Sequence, residues 1–158
     1  PKNIELFTKH HVFSETEIIS RYEILLESYS KTIHIEALTM IDMVKKYVIP
    51  ACVRYENDLA ILLQRKKDIG GLNVAMEEKL LANISDLTAQ LYQRLEALER
   101  SIPENNGNGS TLSKAVYCRE TIYDHMHQLR QVVDQLETLV GKEYWPLPTY
   151  AEILYSII

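Results

Sequence analysis

From Ile18 onward, apolar side chains recur at threes and fours without losing phase. The series runs Ile18, Tyr22, Leu25, Tyr29, Ile33, Ala37, Met40, Val44, Val48, then Cys52, Tyr55, Leu59 and Leu62. That spacing lays one apolar stripe along a helix and is incompatible with the two-residue period of a strand. Ser14-Glu15-Thr16-Glu17 opens the stripe as a capping box, with Ser14 as N-cap and Glu17 reaching back from the third helical position. Pro50 falls inside the stripe. Its ring removes a backbone donor, crowds the carbonyl of Lys46 and disfavours helical angles at Ile49. A kink or short break is expected there, with the helix resuming at once. Gly70-Gly71 then ends this arm as a C-cap.

A third helical segment starts near Asn73 and carries Leu80, Ile84, Leu87, Leu91, Leu95 and Leu98. Residues 101–111, SIPENNGNGST, offer nothing to bury and predict a mobile loop. In the fourth segment Ala115, Ile122, Leu129 and Leu136 repeat every seventh residue, with Met126, Val133 and Val140 as a companion seam. Heptads of this kind mean helix packed along helix at a shallow angle. Gly141 stops the segment. Residues 1–13 have no clear period and predict an extended lead-in. The expected fold is all-α, an elongated antiparallel bundle of about four long helices. One module would span 1–158: lead-in 1–13, bundle 14–140 and tail 141–158.

Composition fits that picture. With 158 residues and 46% apolar side chains, the chain can bury a core without staples. A net charge of −5 argues against nucleic acid, which needs clustered cations. The only basic clusters, Lys45-Lys46 and Arg65-Lys66-Lys67, read as solvated helix faces. Cys52 and Cys118 lie far apart within apolar segments and read as reduced, core-packed thiols of a cytosolic protein. No membrane span is expected: the densest apolar stretch, 47–53, is too short and contains a proline. Pro1 in place of an initiating Met points to a piece of a longer polypeptide.

A helical bundle invites a test for buried chemistry. Carboxylate-bridged metal bundles need Glu-x-x-His on two helices, and Asp124-x-x-His127 is the only acid-to-His pair at that spacing. His125 and His127 sit about 200° apart around a helix and cannot share a metal. His34 and the pair His10-His11 lack an assignable partner. Cys118 falls mid-heptad, away from the helix start that would favour a thiolate. NGNGST lacks the lysine and preceding strand of a phosphate loop. Glu23, Glu27, Glu77, Glu78, Glu96, Glu99, Asp134 and Glu137 fall mostly off the stripes, as solvated faces do. A ligand-binding bundle would need inward polar groups, for which only Arg94, Arg119 and His127 are candidates. No catalytic, cofactor-binding or metal residue is assigned.

After Gly141 the chain changes character. Tyr144, Trp145 (the only tryptophan), Tyr150 and Tyr155 crowd its end, and Pro146 and Pro148 set an extended turn that aims them. Thr149 and Glu152 form another capping box, starting a short helix with Ile153, Leu154 and Ile157 on one side. Such a helix is too short to stand alone in water, so it must dock. The candidate docking residues are Tyr144, Trp145, Pro146, Pro148, Tyr150, Ile153, Leu154, Tyr155 and Ile157. Their target is either the bundle itself or another subunit or domain.

The runs SRYEILLESYSKTI, IEALTMIDMVKKYVIPACVRYENDLA and LETLVGKEYWPLPTYAEILYSI closely resemble the carboxy-terminal region of type III glutamine synthetases. The resemblance takes in nearly the whole chain but only the last fifth or so of such an enzyme. It implies a cytoplasmic ligase of nitrogen metabolism that joins ammonia to glutamate with ATP and magnesium, assembled as a large double-ring homo-oligomer. The implied partners of this module are its own catalytic region and neighbouring subunits. The family's glutamate-, nucleotide- and metal-binding residues lie upstream, so no catalytic residue carries over. The alternative is a free-standing helical adaptor that binds partner proteins.

Overall fold

The computed structural model describes residues 2–104, 109–148 and 150–155, and it is all-helical, with no strand among those residues. Helices α1 (Lys2–Lys9), α2 (Glu15–Met43), α3 (Ile49–Ile69), α4 (Ala75–Glu104), α5 (Thr111–Tyr117), α6 (Tyr123–Leu139) and α7 (Tyr150–Tyr155) follow in order. The four long ones are α2, α3, α4 and α6. No described helix is long and apolar enough to cross a membrane.

Two wide turns join helices end to end. A π turn at Val44–Val48 links α2 to α3, closed by the Ile49 N–H donating to the Val44 carbonyl. Ile49 keeps right-handed helical angles (φ −57, ψ −49), contrary to the expectation that Pro50 would displace it. The wide turn just ahead of Pro50 supplies an altered bonding pattern where a proline leaves a carbonyl without its usual donor, and the helix carries on. A second π turn, Cys118–Ile122, joins α5 to α6. The four long helices therefore form three rods. The first, Glu15 to Ile69, is roughly 80 Å long at about 1.5 Å per residue.

Pairings along the rods fix their directions. Lys66 meets Glu77, Thr88 donates to Glu56 (2.8 Å) and Lys45 meets Glu99, so α4 runs antiparallel to the first rod. Cys118 approaches the Ser30 carbonyl (4.0 Å) and Tyr144 reaches Asp58 (2.6 Å), so the α5–α6 rod runs parallel to it. The core lies between all three: Ala37, Val48 and Cys52 from the first rod, Ile84, Leu91, Leu95 and Leu98 from α4, Ile122, Leu129 and Leu136 from α6. The Ser14–Glu17 capping box forms in full, with Ser14 N–H donating to Glu17 (2.8 Å) and Glu17 N–H to Ser14 (3.3 Å).

Three expectations need correction. The lead-in is partly helical. In α1, Glu5 in the first turn and Lys9 in the last favour the helix dipole, and Phe7 packs edge-on to Phe13 at 6.0 Å. The start of the stripe is not core: Tyr22 and Leu25 are 50% and 69% exposed. The antiparallel pairing brings α4 to its end near Met40, so the first turns of α2 project beyond it. The loop after α4 is also shorter than expected at its start, because α4 continues through Glu104 and Ser101 and Ile102 are buried. Ser101 satisfies its hydroxyl on the Leu98 carbonyl (2.7 Å), and its own carbonyl accepts from Tyr117 (3.0 Å). Residues 105–108, the centre of that segment, lie outside the described residues.

Candidate interaction site

The polar groups that could have served an interior site face outward. Arg94 is exposed and donates to Gln128 (2.7 Å), Arg119 lies over the Tyr123 ring at 5.0 Å, and exposed His127 contacts Gln131 (3.1 Å). None of the three candidates that a ligand-binding bundle would need turns inward, because the buried stripe is taken up by the heptad residues. Among the described residues no group of three or more His, Cys, Asp or Glu converges as a metal site would require. The magnesium implied by the resemblance thus finds no clustered donor set among the described residues. The buried Cys52 thiol, pushed up to about 11 by burial and by the nearby Glu56 charge, is a poor nucleophile.

Glu77 departs from the solvated-face reading. It is 3% exposed and ion-paired to Lys66 across the Gly70-Gly71 turn. Both glycines hold positive φ (74 and 72), a conformation that L side chains rarely adopt. Lys67 pairs with Glu78 beside them (2.7 Å). The Lys66 ammonium, aided by the Glu77 backbone N–H, holds the Glu77 carboxyl below its ordinary range.

The tail divides into two parts. Val140 ends α6 in extended backbone, and the N–H groups of Tyr144 (2.9 Å) and Trp145 (3.1 Å) both return to the Gly141 carbonyl. This tight turn drops Tyr144 beside Tyr55, ring centroids 5.1 Å apart, and its hydroxyl donates to Asp58. That bond raises the Tyr144 hydroxyl above the usual phenol range. Trp145 is only 8% exposed and packs into the core, its indole N–H buried without a partner. Leu147 is half-buried against the same core, while Pro146 and Pro148 are exposed.

The second part behaves otherwise. In α7, Ile153, Leu154 and Tyr155 are 59%, 73% and 80% exposed. Lys142 ties α7 to the bundle through Glu152 at 2.7 Å. Tyr150 opens the helix, its side chain undescribed, and Thr149 and Ile157 lie outside the described residues.

Beside the tail runs a groove of about 630 Å³ between α2 and α6. Met40, Met43, Val44, Met126 and Val133 make an apolar lining, and Leu147, Pro148 and Ile153 border it from the tail. Glu36, Asp134 and Glu137 add carboxylates, and Arg130 stands 3.6 Å from Asp134. No single stretch of sequence announces this groove, because it exists only where three distant segments meet.

Comparison with known proteins bears on what such a bundle belongs to. Residues 1–67 match the family model described as Glutamine synthetase C-terminal domain. A glutamine synthetase of Butyrivibrio fibrisolvens is 38% identical over 157 residues, covering 99% of this chain and 22% of that protein. A type-3 glutamine synthetase of Dictyostelium discoideum is 30% identical over 161 residues (98% and 22%), and a glutamine synthetase of Bacteroides fragilis 30% over 152 (92% and 21%). The chain spans about a fifth of the length of the curated relatives it matches. Similarity to glutamine synthetases, one of them a type-3 enzyme, thus runs along nearly the whole chain, and residues 1–67 match their C-terminal domain.

Proposed function

We propose that this chain is a non-catalytic helical module of a glutamine synthetase, acting in structure and subunit contacts. The whole enzyme would make glutamine from glutamate and ammonia with ATP and magnesium, as a cytoplasmic double-ring homo-oligomer. One observation carries the reading: similarity covers almost all of this chain and about a fifth of each relative. The geometry supports it, since the interior is filled by aliphatic seams and the outward features are an apolar groove and an exposed apolar helix. The nucleotide, glutamate and magnesium would be held elsewhere in the longer polypeptide. The module's partners would be that catalytic region and neighbouring subunits.

The test is deletion of this region from a full-length relative, with assembly and activity both measured. Loss of assembly on deletion supports the reading, and intact rings with normal activity refute it. As a companion measurement, the purified chain alone should show no glutamate-dependent ATP turnover. Turnover by clean protein would overturn the non-catalytic assignment.

A further inference from the structure

The start of the first rod is built like a core helix and is not covered like one. Six of the nine residues 18–26 are apolar, and Ile19, Tyr22, Ile24 and Leu25 are 44%, 50%, 62% and 69% exposed. At about 100° per residue, Ile19, Tyr22 and Leu26 share the face that farther along carries Ile33 and Ala37, both buried, while Ile24 lies on the opposite side. A helix that is apolar on all sides is normally enclosed. Helix α1 and its turn add to the same apolar surface, with Leu6 and Val12 exposed as well. Two charges beside the face are engaged inside the arm: Glu17 accepts from the Ser14 N–H at 2.8 Å, and Arg21 lies over the Phe13 ring at 4.7 Å. The face therefore offers a partner apolar contact more than charge.

We propose that this arm, α1 with the first turns of α2, is where the preceding body of the same polypeptide docks, with Ile19, Tyr22 and Leu25 seated in an apolar recess of that body. The inference rests on the module reading above. The comparisons choose the occupant. This chain covers 22% of two relatives and 21% of a third, and the family model described as a C-terminal domain matches from residue 1 to residue 67. A whole enzyme would thus bring most of its length in through α1, directly beside the exposed face. A body tethered there meets the face at an effective concentration on the order of millimolar. A few apolar side chains then suffice to hold it. An untethered partner would first have to offset its lost translational and rotational freedom, which a face of this size does poorly.

The test uses the full-length enzyme that carries this module. Photo-reactive benzoylphenylalanine replaces Tyr22, and the enzyme is made in normal and heavy-isotope forms that are mixed before assembly and then irradiated. Links should join position 22 to residues ahead of α1, and both linked peptides should carry the same isotope because they belong to one subunit. Leu25→Glu, at an exposed position, should leave thermal unfolding of the 158-residue chain unchanged and reduce those links about tenfold. Absence of links, links between peptides of different isotope, or links that Leu25→Glu leaves at full yield overturns the proposal. If that happens while deletion of the module still breaks assembly, the subunit-contact reading stands and only this docking face falls. If deletion leaves assembly and activity intact while same-subunit links form, the docking stands and the subunit-contact reading falls.

Discussion

The two halves of the tail, a few residues apart, have opposite relations to the bundle. Tyr144, Trp145 and Leu147 fold back and pack on helices of their own chain, while Leu154 and Tyr155 of α7 are largely exposed. Both halves carry aromatic and aliphatic side chains, so an apolar composition alone does not decide where a segment packs. The turn decides it. Two N–H groups converging on the Gly141 carbonyl aim Tyr144 and Trp145 inward. Beyond Pro148, α7 is held to the bundle through the Lys142–Glu152 pair, and its Leu154 and Tyr155 stay exposed. The start of α2 repeats the lesson: its stripe is in phase with the core but outruns the end of α4, so Tyr22 and Leu25 stay exposed.

If the first half of the tail is core, its tryptophan should behave like a residue at the bundle centre. Trp145→Ala should cost about 3–5 kcal/mol, comparable to the roughly 2–5 kcal/mol expected for Leu129→Ala in the middle of α6. Both residues are more than nine-tenths buried, and chemical denaturation monitored by circular dichroism measures both. Trp145→Phe should cost far less, because it discards an indole N–H that is already buried without a partner. A Trp145→Ala chain with an unchanged midpoint would erase the distinction between the halves.

Acidification probes a different part of the bundle. The Glu77 carboxyl is depressed chiefly by Lys66, so its contribution to stability is fully present above the ordinary carboxylate value of 4.5. It is lost as pH falls through the lower folded value. Glu77→Gln should therefore flatten that part of the acid limb while leaving the tail in place. An identical acid limb in both proteins would show that the pair at the α3–α4 turn contributes nothing. The smallest effect should come from Glu99→Ala. Its pair with Lys45 joins two well-exposed side chains, and such bridges contribute about 0–1 kcal/mol.

What could be read in advance follows from what each feature depends on. The seams of α4 and α6 depend only on spacing within one helix, and Leu91, Leu95, Leu129 and Leu136 are all fully buried. The Ser14–Glu17 box was equally legible, being local chemistry within four residues. The π turns were not, because apolar spacing runs through Val44–Val48 and Cys118–Ile122 without recording the extra residue in the turn. Burial of Glu77 depends on the Gly70-Gly71 turn bringing Lys66 beside it. The groove required α2, α6 and the tail to meet. The tail's aromatics marked it as a docking segment, but only the folded turn at Gly141 shows that Tyr144 and Trp145 pack on their own bundle.

Nested truncation tests that separation most directly. One chain ends at Lys142 and another at Pro148, and thermal unfolding of both is compared with the full 158 residues. The chain ending at Pro148 should unfold at nearly the same temperature as the full one, because it keeps Tyr144, Trp145 and Leu147. The chain ending at Lys142 should unfold several degrees lower, as a loss of a few kcal/mol implies for a domain of this size. Equal midpoints for both truncations, or a large drop already at Pro148, would contradict a tail divided between its own core and the outside.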